Sequence, residues 1–499
     1  MRRLPALLAL TGALFLAATS VLAITQAPLG SALFFGCAAA MAVAYAGILA
    51  RIWSEPRAPR RLVRAALLLS VAFRVPLVAP RVNSDNDMVR YLWDGRVQTL
   101  GYSPYQVLPS DPALSATHTD ETRRMPSLHA RTPYPPGAQL FFRLVVSIHD
   151  STRTMKLALF ACDLATILVL WRWLLLTGQN EWLFLTYAWN PLVVLEIAHS
   201  GHLDALGALW IVASAYWLAR RRTALASIAF VLAVATKLLP IVLLPIFWRR
   251  VRARDAAAGA TLLAILYLAY TRQGVLPFGA VPNVVKHIRF NGPLFRYLAG
   301  LATPQIAALS AVGAGLLVAM WARWRLGADE AGSWAWPMAV ALAGAPVIYP
   351  WYLLYFTPFL FSVGTLPLTA WTVTAISTYV VWELAFFRGA RWVVPPAVMM
   401  LEFAIPLIVG AVLLWRTQVR RTAHPETAQP GRTRQNLLGP LFRFRRHDRP
   451  KHEVGEDAWK GGRQYGSHYI EDADSGRAPA ERLRESAADT GNQTIIPRP

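Results

Sequence analysis

Three carboxylates and two guanidinium groups crowd into Ser84–Arg96, SDNDMVRYLWDGR, directly after the apolar run Ala65–Pro80. Asp85, Asp87 and Asp94 beside Arg90 and Arg96 concentrate charge at the edge of a hydrocarbon-compatible segment, an expensive placement that marks a functional candidate. A carboxylate at the mouth of a membrane cavity can take a proton from a hydroxyl, and an adjacent arginine keeps it ionised. Asp85 is the leading general base on this reading, and Asp87 is its nearest rival. If the chain from Asn86 to Trp93 is helical, Arg90 and Asp94 fall three and seven positions past Asp87, on its face. Acidic residues that complement a helix dipole are the competing structural explanation.

A second cluster, EIAHSGHLD, brings Glu196, His199, His202 and Asp204 together at a predicted helix junction. Imidazole and carboxylate at this spacing suit a divalent cation, but a hydrogen-bonded network that binds sugar or orients an acceptor is favoured, and no metal is expected. Lys237, inside an apolar block, is a buried cation unless an anion meets it or its stem reaches the interface. Lys286, His287 and Arg289 follow in a later polar segment. With Arg90, Arg96 and Arg131 they are candidates for holding a phosphate or pyrophosphate, arginine through a planar fork and lysine as a point charge. Asp94, Tyr134, Trp351 and Tyr352 complete the candidate substrate contacts. Aromatic rings near membrane boundaries chiefly favour the interface, and a subset can stack on sugar faces.

These residues must be positioned by helices. Of 499 residues, 55% are hydrophobic and 16% charged, and the apolar residues come in long blocks. Blocks of about 17–25 such residues match the length of helix that crosses a bilayer. The expected fold is all-α, a polytopic transmembrane helical bundle of about 11–14 membrane segments with a disordered C-terminal tail. The alternating pattern of a membrane β-barrel is absent. The net charge of +22 lies mainly in short loops between apolar blocks and in the tail, which reads as membrane orientation rather than nucleic-acid binding. Cys37 and Cys162 sit within apolar blocks as small hydrophobes, so no disulfide framework is indicated. No P-loop or dinucleotide fingerprint occurs, and no cofactor is expected.

Basic loops at Arg51–Arg64, Arg220–Arg222, Arg249–Arg254 and Arg323–Arg325 all fall on one face if the N-terminus is cytoplasmic. The N-terminal apolar stretch is read as an uncleaved first helix rather than a secretory signal. A third span at about 65–80 then delivers the Asp85 loop outside, and a further outward span is expected at about 182–198. The stretch LASIAFVLAVATKLLPIVLLPIFWRRVRAR is basic at both ends, so two short helices meeting at Lys237–Pro240 are expected in place of one span. The transmembrane domain is assigned to 1–415, with external loops at about 81–154 and 272–300. A basic cytoplasmic tail, 416–499, cannot bury enough apolar area to order itself.

Taken in order, SDNDMVRYLWDGRVQTLGYSPY, YPPGAQL, WNPLVVLEIAHSGHLDALGALW and ATKLLPIVLLP resemble the integral-membrane glycosyltransferases of the GT-C superfamily. Within it the chain is most similar to bacterial polyprenol-phosphate-mannose-dependent mannosyltransferases, over roughly Ala65–Trp415. The resemblance implies transfer of a sugar, expected to be mannose, from a polyprenyl-phosphate donor to an acceptor hydroxyl. The acceptor is a lipid or glycan, the transfer proceeds with inversion, and the site is extracytoplasmic in the inner membrane. It also implies that Asp85 acts as base, with Asp87 as its partner, and that Lys237 faces the donor phosphate. Two adjacent acids are usual in the family where this chain has Asp85 followed by Asn86. A polytopic transporter or lipid-linked-sugar flippase is the alternative function, since it too would use intramembrane charges and a broken helix.

Overall fold

The computed structural model describes residues 3–53, 59–79, 87–125, 128–271 and 275–423; Asp85 and residues 424–499 lie outside them. The described residues fall within one unit, Met1–Phe444. They are helical, and among them no strand forms beyond an isolated parallel bridge between Phe290 and Val347.

In chain order the α-helices begin with α1 (Arg3–Thr25), α2 (Ala32–Ile52), α3 (Arg60–Ala72), α4 (Val75–Val78) and α5 (Asp87–Thr99). Next come α6 (Pro136–Ile148), α7 (Thr152–Leu176), α8 (Leu185–Ala188), α9 (Pro191–Val193), α10 (Asp204–Ala219), α11 (Thr223–Thr236) and α12 (Ala253–Tyr270). The remainder are α13 (Val281–His287), α14 (Pro293–Leu301), α15 (Pro304–Arg325), α16 (Ala331–Ala343), α17 (Leu366–Thr374), α18 (Val380–Trp382) and α19 (Pro396–Ala423). Among the described residues, six helical stretches are long and apolar enough to cross a membrane: Leu4–Thr25, Ala32–Ile52, Thr152–Leu176, Pro304–Arg325, Val363–Phe387 and Pro396–Val419. At about 1.5 Å per residue each spans roughly 30 Å or more, the thickness of the hydrocarbon core. The protein is a membrane protein. Shorter apolar helices at 136–148, 204–219 and 223–236 pack among the spans.

Lipid tails are as apolar as leucine, so helices in a bilayer associate through close packing rather than through the hydrophobic effect. Along α15, Ala307, Ala311, Gly315 and Ala319 recur every fourth residue, and the three alanines are buried there. This stripe of small side chains lets the α15 backbone lie close to α16 and to the 3₁₀ segment Leu239–Phe247. α19 is the opposite case: Leu401, Leu407, Ile408, Leu414 and Trp415 are all exposed, as a lipid-facing surface requires.

Two expected spans are broken by proline. Pro76 has no N–H for the Ala72 carbonyl, so the third span divides into α3 and α4 around Phe73–Arg74. The stretch at 182–198 is not one helix either: a 3₁₀ turn, α8, α9 and a π-helical turn at Val194–His199 follow one another. Asn190 starts α9 by accepting a hydrogen bond from the Leu192 amide (3.0 Å), with Pro191 as its first residue. The last helix, α19, continues past 415 to Ala423.

The broken segments are tied together by a buried ion pair that the sequence motifs did not single out. Arg74 Nε donates to Asp163 Oδ2 (2.5 Å), and both side chains are fully buried. Arg74 Nη1 donates to the Ser70 and Ala188 carbonyls, and the Tyr187 hydroxyl donates to Asp163 Oδ1. The indole of Trp189 packs on Phe15 and Phe73 and donates to Ser70 Oγ. α3, α7 and the α8–α9 bend therefore meet at one charge pair. Removing one member leaves the other buried and uncompensated, which costs about 3–5 kcal/mol. Arg74→Met and Asp163→Leu are each expected to lower the detergent melting temperature markedly. The double variant should recover much of that loss.

Candidate functional site

Lys237 sits at the break anticipated from its basic flanks. α11 ends at Thr236, Lys237 is extended (φ −158°, ψ 148°), and a 3₁₀ helix resumes at Leu239 with Pro240 near its start. Pro240 cannot donate to the Thr236 carbonyl, so the α-helix stops and the lysine side chain is aimed away from the helix axis. Its Nζ donates to Asp204 Oδ1 (2.7 Å) and lies 3.7 Å from the centre of the Tyr352 ring. Asp204 is almost wholly buried, whereas the Lys237 side chain keeps 21% of its surface exposed. The ammonium is thus neutralised by Asp204 and faces an aromatic ring, while part of the side chain stays exposed.

Asp87 opens α5, and the helix continues through Arg90 and Asp94 as expected. The residue is half-buried, and its carboxyl lies within electrostatic reach of Lys237, Tyr134, Asp204 and Arg90. Burial pushes this carboxyl above the ordinary carboxylate range, and Lys237 and Tyr134 pull it partly back. Close packing brings these groups together. A Cβ on Gly137, at the start of α6, would stand 2.8 Å from the Ala235 carbonyl oxygen, so only glycine lets α6 reach the last turn of α11. Tyr134, just before α6, meets Tyr91 of α5 edge-on, and Tyr91 stacks on Phe142.

The EIAHSGHLD junction forms the back of the site. The π-turn ends at His199, Gly201 turns the chain with φ +72°, and α10 starts at Asp204. Glu196 accepts a hydrogen bond from the Tyr379 hydroxyl (2.6 Å), and its other oxygen lies 3.3 Å from His202 Nε2. The His202 ring stacks on Trp351 at 4.1 Å, Trp351 on Tyr349 at 4.4 Å, and Tyr349 on Phe290 at 4.3 Å. A four-ring column therefore runs from the residues before α14 to the Glu196–His202 pair. Within the pair, Glu196 Oε2 and His202 Nδ1 are buried without a hydrogen-bond partner. Such groups are costly to leave unpaired, and Glu196 Oε2 meets part of that cost by facing His202 Nε2.

The candidate residues thus divide into two groups. Asp87, Tyr134, Glu196, His199, His202, Asp204, Lys237, Trp351 and Tyr352 gather around one region, where Asp87, His199, Lys237, Tyr349 and Tyr352 keep exposed surface. The others are engaged elsewhere. Asp94 accepts from Arg90 Nε (2.7 Å) and from Gln139 Nε2 (2.8 Å), and Arg90 also donates to the Ala130 carbonyl. Arg96 pairs with Asp150 and donates to the Thr117 carbonyl. Arg289 donates to the carbonyls of Val285, Lys286 and Ile288 at the end of α13, while Lys286 and Arg131 are exposed. Asp85 lies outside the described residues. Among those residues no group of three or more His, Cys, Asp or Glu is arranged to hold a metal ion. Two contributors escaped the sequence reading. Tyr379 is one aromatic among many in an apolar block and carries no local signal. Lys156 does carry one, as a lone cation near the start of a span.

Residues 6–252 match the family model described as alpha-(1->6)-mannopyranosyltransferase, N-terminal domain. The match covers just under half of the chain and is consistent with the GT-C mannosyltransferase resemblance carried by the ordered motifs. The match ends just beyond Lys237 and so covers the Asp87, Glu196–Asp204 and Lys237 parts of the site but not Trp351 and Tyr352. No curated protein and no solved structure matches the chain.

A carboxylate raised by burial must lose its proton before it can act as a base. Activity that depends on ionised Asp87 is therefore expected to fall, as pH decreases, at a higher pH than an ordinary carboxylate of about 3.9 would impose. Lys237 stabilises the ionised form, so Lys237→Met should move the acid limb of the rate profile to still higher pH. Initial rates in a buffered pH series, wild type against variant, measure both effects.

Proposed function

We propose that this protein transfers mannose from a polyprenyl phosphate to an acceptor hydroxyl at the extracytoplasmic face of the inner membrane, with inversion at the sugar carbon. The observation that carries this reading is the partly exposed Lys237 side chain, held by Asp204 at a helix break and within electrostatic reach of the Asp87 carboxylate. A lipid-linked donor brings its phosphate to the membrane surface already anchored, so a chain without a nucleotide-binding fingerprint suffices.

In the reaction the bond between sugar C1 and the phosphate oxygen breaks while the acceptor oxygen bonds to C1 from the opposite face. The departing polyprenyl phosphate gains negative charge, which Lys237 is placed to stabilise. The acceptor proton passes to a carboxylate of the acidic loop, Asp85 in the first instance, with Asp87 as its partner or substitute. Asp204 keeps the ammonium in place before the donor arrives. Tyr352, which keeps exposed surface, offers its ring to the sugar, while Trp351, stacked between His202 and Tyr349, holds the wall behind it. Arg90, Arg96 and Arg289 hold the surrounding framework in this scheme, because each already has protein partners. The family's description names an α-(1→6) linkage. Forming an α bond with inversion requires a donor whose mannosyl–phosphate bond is β, and a 6-linkage makes the acceptor a primary hydroxyl.

Purified protein incubated with a panel of polyprenyl-phosphate sugars and followed by mass spectrometry should show mannosyl transfer or slow donor hydrolysis with the β-mannosyl donor. Asp85→Asn is expected to reduce turnover by about 10²–10⁴, the usual contribution of a general base. Lys237→Met should reduce it by about 10²–10³, in line with the loss of a preorganised charge. Normal turnover in both variants would remove this mechanism. Labelling of a cysteine at position 85 from the cytoplasmic side would remove the proposed orientation.

A further inference from the structure

Lys156 is a buried cation that the scheme above does not use. It lies in the second turn of α7, only 2% exposed, and its Nζ donates to the Leu77 carbonyl (2.7 Å) in α4. An ammonium withdrawn from water in this way is expensive and is retained where the charge performs a task. Three segments converge around Lys156 and Gly201. Leu77 lies just before the acidic loop, and Met88, in the first turn of α5, lies just after it. The third is Gly201 of the His199–Asp204 junction: a Cβ there would fall 2.0 Å from Met88 Cε and 3.4 Å from Lys156 Cγ. Gly201 holds φ +72° at this point, so glycine is required both by backbone conformation and by space. The charge of Lys156 also reaches the His199 ring.

We infer that Lys156 is a positioning residue for transfer: its ammonium pins the end of α4, beside the start of α5 and the histidine junction, and so sets the two ends of the acidic loop relative to the donor-facing Lys237. This inference rests on the transferase reading. Lys156 touches neither donor nor acceptor in it, so its loss should be felt in turnover rather than in donor binding.

Three substitutions separate charge from hydrogen bonding. Lys156→Gln keeps an N–H donor one bond shorter than the lysine but has no charge, Lys156→Met has neither property, and Lys156→Arg keeps both. Each is assayed in vesicles with the β-mannosyl polyprenyl phosphate, with rates normalised to the amount of protein in the membrane. Gln and Met are expected to lower kcat by about tenfold or more with donor KM changed less than about threefold, and Arg to restore most of the rate. A Gln variant that turns over like wild type would overturn the inference, because a hydrogen bond would then suffice. So would a loss confined to KM, or an Arg variant as slow as the Met variant at equal membrane abundance. Should Met not reach the membrane, the comparison of Gln with Arg decides. Wild-type protein that transfers no sugar fails the transferase reading itself, a result separable from an active wild type with an unaffected Gln variant.

Discussion

The arrangement of the site follows from one requirement, that the Lys237 ammonium have a counter-charge at a place where the helix cannot continue. Pro240 ends α11, the extended Lys237 turns its side chain out of the helix line, and Asp204 at the first residue of α10 receives it. Irregular backbone among membrane helices is tolerated where it is buried in protein or lines a cavity, and here the side chain at the break is met by Asp204. Once this pair is set, Tyr352 must lie over the ammonium, and Trp351 beside it then stacks on His202. The catalytic candidates are thus consequences of one broken helix and the charge it exposes.

The charged groups of the chain serve two distinct purposes. Arg74 with Asp163 and Arg90 with Asp94 are nearly or fully buried, and their partners are internal. Such pairs seldom add net stability over apolar residues, but breaking one leaves a stranded charge, so they hold helices in a particular arrangement. Lys237 and Asp87 differ in keeping part of their surface open. A charge that is paired yet accessible can exchange its partner for a substrate group, which a sealed pair cannot do. Residue type alone does not separate these classes, because aspartate and a cation occur together in both.

The hydrophobic blocks, the acidic loop, the helix break at Lys237–Pro240 and the His-rich junction were all legible in the chain, since each depends on local composition or on proline chemistry. The third span and the stretch at 182–198 were read as continuous from their hydropathy. Pro76 and Pro191 divide them, and the freed polar groups are met by partners that hydropathy does not register, such as the Arg74 guanidinium for the Ala188 carbonyl and the Asn190 side chain for the Leu192 amide. The arginines near the acidic loop were grouped as phosphate ligands because spacing shows that a charge is present, not what already occupies it.

By itself the sequence determined that this is an all-helical membrane protein with GT-C-like motifs, because bilayer length, proline breaks and charged clusters are properties of short stretches. Only the tertiary structure decided that Asp87, Glu196, His202, Asp204, Lys237, Trp351 and Tyr352 belong together while Arg90, Arg96 and Arg289 turn to other partners. The physical reason is that hydrogen bonds, ring stacking and burial act over a few ångströms in space, and the residues they join here lie up to 183 positions apart along the chain, as Glu196 and Tyr379 do.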